Sequence, residues 1–197
     1  TNTIPNMPAW GGKENRIGNN PLVISIPRKG GHVVLDMALS QFSFGKMENL
    51  HLKGEQLPFH GGWDSDNQLS KDPKSIIDSG RALPAGYWKG SALSMILDML
   101  ATLLSAGNST YKIGQKGHET AISQVFLCID PNVFSDSQLQ EKLLNEIIQY
   151  THDVSPMNEG NKTFYPGERT LAIRTKNLKY GIPVNPKIWK QKIMLAS

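Results

Sequence analysis

The chain has 197 residues, of which 39% are hydrophobic, and its single Cys excludes a disulfide scaffold and any metal site built from several cysteines. Lys and Arg number 21 against 17 Asp and Glu, which gives a formal net charge of +4. This balance excludes a disordered chain, which would combine low hydrophobicity with a high net charge. No stretch of about 18 residues is apolar throughout, so the sequence predicts no membrane-spanning helix.

The basic residues are scattered except for one cluster near the C-terminus. A nucleic-acid binder usually concentrates positive charge on one face and adds aromatic side chains for stacking. We interpret the cluster as a solvated helix face and expect no nucleic-acid partner. Its members are Arg174, Lys176, Lys179, Lys187, Lys190 and Lys192.

The first part of the chain predicts a loop followed by a β-hairpin. Residues 1–21 are rich in Asn, Pro and Gly, which is typical of a loop rather than a helix or a strand. The runs 22–26 and 32–37 predict two strands, and the Gly-containing connection between them favours a hairpin. Residues 54–90 are rich in Gly and Pro; a loop of this length is either disordered or functional, and its aromatic residues favour ordered packing.

The middle of the chain predicts a long helix and a buried strand. Apolar residues recur at every third or fourth position over 89–105, so we expect a helix that is buried on most sides and stops at Gly107. The continuous apolar run 124–129 predicts a buried strand, in which Cys128 would be an inert core thiol.

Three further helices are predicted toward the C-terminus. The first covers 135–150, with Ser137 and Gln140 as a capping box, and the others cover 168–180 and 185–189. Strands and helices together predict a mixed α/β fold.

The common catalytic motifs are absent from the sequence. It contains no G-x-G-x-x-G fingerprint, no phosphate-binding P-loop, no G-x-S-x-G elbow and no H-E-x-x-H zinc motif. The 5 His show no ligand spacing, so we expect no metal site. Isolated histidines are more often structural than functional, and His118 with Glu119, just before the predicted strand, is the better functional candidate.

Three patches have the composition of an anion site. Residues 10–21 combine Gly-rich backbone with cations and amides, residues 84–90 place Lys89 at a helix start, and residues 165–169 open another helix. Free N–H groups at a helix start bind anions. Each patch also has a structural interpretation: a polar loop, an aromatic anchor with a snorkelling lysine, and Glu168 as a partner of the helix dipole.

Five motifs follow one another in a family-like order. They are Met-Pro-Ala-Trp-Gly-Gly at 7–12, Ile-Gly-Asn-Asn-Pro at 17–21, Leu-Asp-Met-Ala-Leu-Ser at 35–40, Leu-Pro-Ala-Gly-Tyr-Trp-Lys-Gly at 83–90 and Tyr-Pro-Gly-Glu at 165–168. Together they resemble the type 2 malate/L-lactate dehydrogenase family over essentially the whole chain. The resemblance implies a non-Rossmann α/β fold that binds NAD(P), which accounts for the missing glycine fingerprint.

The resemblance implies a cofactor site built from three segments. The expected cofactor is NADH, with NADPH as the alternative. Asp36 is suited to accept a hydrogen bond from a ribose hydroxyl, and Lys89 to meet a phosphate. The full set is His32, Val33, Val34, Leu35, Asp36, Met37, Ala38, Trp88, Lys89, Gly167, Glu168 and Arg169.

The resemblance also implies the reaction and its setting. The family reduces a small-molecule 2-oxo acid, is cytoplasmic and forms homodimers; Lys13 and Arg16 are our candidates for holding the substrate carboxylate. The family's proton donor is a His in a region that precedes the part matched here. We therefore assign no catalytic residue within the chain and expect an N-terminal companion segment.

The sequence departs from the family pattern at Asn19, and the chain is expected to divide in two. Asn19 stands where most family members have Thr, which is expected to retune the hydrogen bonds of its loop. The chain is expected to divide into an NAD-binding domain over 1–160 and a C-terminal helical segment over 161–197 that packs back on it.

Three functions stay open at this point. The first is an oxidoreductase of a 2-oxo acid, whose substrate within the family is undecided. The second is a non-catalytic module that dimerises and holds the nucleotide. The third is a basic nucleic-acid binder, whose affinity would fall steeply with salt.

Overall fold

The computed structural model describes residues 1–186 and 188–189 and has the mixed α/β character that the sequence predicts. Lys187, Lys190 and Lys192 of the basic cluster, and part of the predicted helix over 185–189, lie outside these residues. The strands are β1 (Met7–Pro8), β2 (Asn15–Ile17), β3 (Leu22–Ile26), β4 (Val33–Met37), β5 (Gly62–Trp63), β6 (Leu69–Ser70) and β7 (Arg81–Ala82). The helices are α1 (Phe44–Lys53), α2 (Pro73–Ser79), α3 (Trp88–Ser105), α4 (Thr110–Gln115), α5 (Ser137–His152) and α6 (Glu168–Tyr180), with a 3-10 turn at Pro131–Val133.

The chain divides into two compact units. Unit 1 comprises Thr1–Val23 and Asp36–Ile129, and unit 2 comprises Ile24–Leu35 and Asp130–Ser197. Strands β3 and β4 pair with each other, as the predicted hairpin requires. The expected division of the chain at residue 160 stays a prediction.

Unit 1 contains an apolar core on which the short strands depend. Met7, Leu39, Met47 and Ile76 are fully buried in it. Met7 of β1 pairs with Ile17 of β2, so the prediction of a plain loop over 1–21 was wrong. Strands of two or three residues are too short for an alternating pattern, and only burial of Met7 and Ile17 stabilises them.

The segment 54–90 is ordered, as its aromatic residues suggested. It holds a three-stranded sheet in the order β6-β5-β7, together with α2. Asp72 caps α2, since its carboxylate accepts hydrogen bonds from the backbone N–H groups of Lys74 and Ser75. Gly62 lies so close to Ile76 and Arg81 that a Cβ there would meet their atoms at 2.5 Å.

The long helix has the predicted bounds but not the predicted environment. α3 starts one residue earlier than expected and ends, as expected, at Ser105. Its C-cap in the left-handed conformation is Ala106 rather than Gly107. Its large apolar side chains other than Leu97 are exposed, so the prediction of burial on most sides was wrong. The reason is that α3 turns its small residues, Gly90, Ser91, Ser94 and Ala101, toward the core of unit 1.

The predicted strand over 124–129 was also wrong. None of these residues belongs to a strand, and Phe126 and Leu127 are 85% and 83% exposed. Cys128 is exposed as well, so it is not a core thiol in this structure. A strand needs a hydrogen-bonded neighbour, which this segment does not have.

The helices of unit 2 have nearly the predicted bounds. α5 begins at Ser137, but Asp136 caps it by accepting from the N–H groups of Gln138 and Leu139, so the predicted Ser137 capping box was wrong. α6 agrees with the expected 168–180. Among the described helices of both units, none combines the length and the hydropathy that a membrane span needs.

Candidate functional site

The predicted cofactor residues fall into two groups, one in each unit. In unit 2 the first half of β4 contacts the start of α6, because Val34 N–H donates to the Pro166 carbonyl oxygen at 2.9 Å. Gly167, the N-cap of α6, has φ +90°, and a Cβ there would lie 3.0 Å from Val34 N and 3.2 Å from Val34 O. Only glycine fits this approach of two backbones. The structure thus brings 32–35 and 167–169 together.

Glu168 is held by two partners within unit 2. Its Oε2 accepts from the Tyr165 N–H at 3.0 Å and lies 3.0 Å from Nε2 of His152. This arrangement joins the end of α5 to the start of α6. The sequence did not single out His152, and no periodicity could have done so, since the pairing depends on how two helices pack.

The loop of the hairpin is tied to α5. The Arg28 guanidinium donates to Asn145 Oδ1 at 2.8 and 3.1 Å and lies 3.9 Å from Glu141. The Arg28 N–H donates to Nδ1 of His32 at 3.3 Å, so Nδ1 is the unprotonated ring nitrogen in this arrangement. His32 is therefore oriented by the backbone before any ligand binds.

In unit 1 the second group surrounds the start of α3. Leu39 follows directly on Asp36, Met37 and Ala38, and its carbonyl oxygen accepts from Ala85 N–H at 2.8 Å. Gln41 N–H donates to the Leu83 carbonyl oxygen at 2.7 Å. The residues that follow β4 are thus hydrogen-bonded to the turn that precedes Trp88 and Lys89. Both of these side chains are exposed.

An aromatic contact fixes the other side of this turn. Tyr87 has φ +60°, which is uncommon for a bulky residue, and its ring centroid lies 5.3 Å from that of Trp10. The Trp10 N–H donates to Ser91 Oγ at 2.9 Å. These contacts fix the backbone on both sides of Trp88 and Lys89.

The starts of α3 and α6 differ from those of the other four helices. Side chains of Ser43, Asp72, Ser109 and Asp136 cap α1, α2, α4 and α5. Neither Tyr87 at α3 nor Gly167 at α6 makes a side-chain capping bond. In these two helix starts the Lys89 N–H donates to the Gly86 carbonyl oxygen and the Glu168 N–H to the Tyr165 carbonyl oxygen. The other N–H groups of each first turn have no side-chain cap and are the ones suited to an anion. Within unit 1, Lys89 and the exposed Trp88 indole at the start of α3 have the chemistry to meet a phosphate and a ring of a dinucleotide cofactor.

The two substrate candidates are not brought together at one pocket. Arg16 lines a pocket of about 200 Å³ with Asn20, Ser94 and Asp98, and it pairs with Glu14. Lys13 is exposed and does not line this pocket. The segment between the two candidates is ordered by β2, in which Asn15 donates to the Gly80 carbonyl oxygen at 2.9 Å.

Three other residues that the sequence singled out, Asn19, His118 and Glu119, all lie in unit 1. Asn19 Oδ1 accepts from Asn6 Nδ2 at 3.0 Å and from Thr3 Oγ1 at 3.1 Å; that Asn instead of Thr retunes these bonds stays a prediction. Glu119 accepts from the Ile4 N–H at 3.1 Å, and His118 is exposed. Over 1–186 and 188–189, no three His, Cys, Asp or Glu side chains cluster as metal ligands would.

Comparison with known proteins gives a consistent family assignment. The family model described as "Malate/L-lactate dehydrogenase" matches residues 1–192. The chain is 40% identical over 190 residues to "2,3-diketo-L-gulonate reductase" of Escherichia coli strain K12, which covers 96% of this chain and 57% of that protein.

Solved structures agree with this assignment. Sulfolactate dehydrogenase of Methanocaldococcus jannaschii superposes with a TM-score of 0.77 at 26% identity, covering 96% of this chain and 55% of that one. Malate dehydrogenase of Entamoeba histolytica gives 0.82 at 20% identity, covering 100% and 59%, which supports the fold alone. The chain thus spans little more than half the length of the relatives that it matches.

Proposed function

Because the chain belongs to the malate/L-lactate dehydrogenase family, we propose that it is the larger part of an oxidoreductase that reduces a 2-oxo acid with NADH. The observation that carries the proposal is the pair of helix starts without side-chain caps, at the positions where the family resemblance expects the cofactor. The cofactor would supply the hydride for the substrate carbonyl carbon.

The chain's own residues would bind and orient the cofactor. Lys89 and the N–H groups at the start of α3 would neutralise phosphate oxygens. The Asp36 carboxylate would accept from a ribose hydroxyl, and the exposed Trp88 indole would cover an apolar face. In unit 2, Gly167 allows α6 to begin against Val34, so the N–H groups in the first turn of α6 are held in a fixed position. NADPH is the alternative cofactor, because a 2′-phosphate would need only one further cation.

We propose 2,3-diketo-L-gulonate as the substrate and 3-keto-L-gulonate as the product. The support is the 40% identity to 2,3-diketo-L-gulonate reductase over nearly the whole chain. Arg16, which lines the pocket with Asn20 and Asp98, is the stronger candidate for the substrate carboxylate, and Lys13 is the weaker one. Another 2-oxo acid of the malate/L-lactate type is the alternative.

The proton for the carbonyl oxygen would come from outside this chain. We propose a His on an N-terminal companion segment as the donor, in a cytoplasmic homodimer, as the family resemblance implies. Hydride and proton together convert the ketone to a hydroxyl group, while NADH becomes NAD⁺. Without the companion, the chain would hold the nucleotide and turn nothing over.

The test measures binding and turnover separately. We would titrate the 197-residue chain with NADH by calorimetry, and follow NADH oxidation at 340 nm with 2,3-diketo-L-gulonate, pyruvate and oxaloacetate. Intact-mass spectrometry of the same sample would establish which polypeptides are present. Binding without turnover by the chain alone, and turnover after the uncovered part of the E. coli reductase is added, is the expected result.

Other results would reject parts of the proposal. If neither NADH nor NADPH binds, the cofactor assignment is wrong. If pyruvate or oxaloacetate is reduced faster than 2,3-diketo-L-gulonate, the substrate assignment is wrong and the malate/L-lactate type replaces it. If added companion restores no turnover although the nucleotide binds, the chain is a nucleotide-holding module.

A further inference from the structure

Helix α3 exposes most of its large apolar side chains, whereas a surface helix normally buries them. Its small residues and Leu97 face the core of unit 1, and its other large apolar residues face outward. Apolar side chains on one helical stripe are normally the ones that are buried. The outward stripe consists of Leu93, Ile96, Leu100, Leu103 and Leu104.

Hydrogen bonds to the inward side fix this orientation. Ser94 Oγ donates to the Gly18 carbonyl oxygen at 2.5 Å, and Asn20 Nδ2 donates to the Ser94 carbonyl oxygen at 2.8 Å. Gly90 lies against the backbone of Ala85, where a Cβ would find no room. The helix therefore cannot rotate to bury its leucines without losing these bonds.

A second apolar feature begins beside the C-terminal end of α3. Ser123 is buried, and its Oγ donates to the Asn108 carbonyl oxygen at 2.8 Å, next to Gly107. From this anchor the chain continues into the run 124–129, whose neighbouring residues Phe126 and Leu127 are both exposed. Paired as a strand, the run would place these two side chains on opposite faces, so each face would need a cover.

Both features belong to unit 1, and neither carries charge. The run 124–129 contains no charged residue, and neither does the outward stripe of α3, where Leu103 is 77% exposed. Soluble chains seldom expose this many large apolar side chains unless the surface binds something. A continuous apolar run is typical of a strand covered on both faces within a sheet.

We propose that this surface, defined as the outward stripe of α3 together with 124–129, is the docking site of the companion segment. The proposal rests on the proposed function, and it specifies how the companion binds. An extended segment would pair with the backbone of 124–129 by β-strand addition, and apolar side chains would cover the leucines of α3.

The companion fits this surface better than a second copy of the chain does. The E. coli reductase has 57% of its length covered by this chain, so 43% (100 − 57) has no counterpart here. That length is enough for a strand and for layers on both faces of it. A two-fold contact between copies joins a patch to itself, which covers one face of 124–129 and leaves the other exposed.

The test uses the uncovered part of the E. coli reductase as a separate polypeptide. Mixed with the tagged 197-residue chain, it should co-purify at one to one. Amide hydrogen exchange at 125–129 should then slow at least tenfold, as backbone pairing requires. Phe126→Asp should abolish the complex, whereas Tyr150→Asp, a control at an equally exposed aromatic residue (85% for both), should not. Circular dichroism would establish that both variants keep their helices.

Three outcomes would overturn the proposal. The first is a chain that dimerises alone with 125–129 protected and becomes monomeric on Phe126→Asp, since a second copy then covers the surface. The second is the absence of a complex although the same E. coli piece assembles with the matching piece of its own protein. The third is a complex in which exchange at 125–129 is unchanged. NADH titration of the complex keeps the two proposals apart, because docking without nucleotide binding rejects only the oxidoreductase.

Discussion

Asn20 is fully buried beside Ser94, with its amide nitrogen 2.8 Å from the Ser94 carbonyl oxygen and 3.1 Å from Ser94 Oγ. Its Oδ1 accepts from the Thr3 N–H at 3.0 Å. One side chain thus joins the N-terminal residues, the loop before β3 and the long helix.

Asn20→Ala should therefore destabilise unit 1. The substitution leaves the buried Thr3 N–H without its acceptor and removes the donors to Ser94, whose Oγ keeps its bond to Gly18. One buried group without a partner costs about 1 to 3 kcal/mol. Urea denaturation followed by circular dichroism measures the free energy of unfolding. The exposed Asn161→Ala is the control and should change it by less than about 0.5 kcal/mol; equal effects of the two variants would contradict the role of Asn20.

Gly167 and Gly160 form a matched pair of glycines with positive φ. Gly160 (φ +82°) has open space where a Cβ would be placed, whereas Gly167 (φ +90°) has the Val34 backbone at 3.0 Å. Gly160→Ala should cost about 1 kcal/mol from backbone strain alone. Gly167→Ala should cost about 2 to 4 kcal/mol, because overpacking is added to the strain. Thermal denaturation compares the two, and similar losses would show that the approach to Val34 is not tight.

Lys89→Ala should weaken NADH binding more than it weakens folding. Lys89 is exposed at the start of α3, so its removal leaves no cavity. A charged hydrogen bond to phosphate contributes about 1.5 to 3 kcal/mol, which predicts a roughly 10- to 100-fold increase in the dissociation constant. Calorimetric titration measures it, with the exposed Lys53→Ala as the control. An unchanged affinity in Lys89→Ala would reject its role in cofactor binding.

Asp72 makes the stability of unit 1 depend on acid pH. The hydrogen bond from the Ser75 side chain, followed by weaker bonds from backbone N–H groups, lowers the pKa of the Asp72 carboxyl below its ordinary 3.8. A group with a lowered pKa in the folded state stabilises above its unfolded pKa and loses this effect as the pH falls through the folded value. Asp72→Asn should therefore be less stable than the native chain at pH 6.

The difference between the two chains should shrink as the pH falls below about 4, where the carboxyl of the unfolded chain takes up protons, and should be lost as the pH passes below the lowered pKa of the folded chain. Thermal melts at half-unit intervals from pH 6 to pH 3 measure this. Asp66→Asn is the control, because the Asp66 side chain caps no helix, and its difference from the native chain should stay flat. A constant difference for Asp72→Asn would mean that the capping bond does not involve the ionised carboxylate.

The sequence by itself determined the elements whose information is local. α3, α5 and α6 lie within about two residues of their predicted bounds, since apolar spacing of three and four residues persists over each. The hairpin of β3 and β4 followed from two β-branched runs separated by glycines. The five ordered motifs were sufficient to place the chain in its family, because they are spread over its whole length.

Only the tertiary structure decided the rest. The two-residue strands β1 and β5 exist because distant residues are buried together, and so short a segment has no period. Apolar periodicity shows that α3 has an apolar stripe, but the direction of this stripe was set by the bonds of Ser94 to Gly18 and Asn20. In the same way, 124–129 has the composition of a strand. A strand forms only beside a hydrogen-bonded neighbouring strand, and the composition of the segment does not provide one.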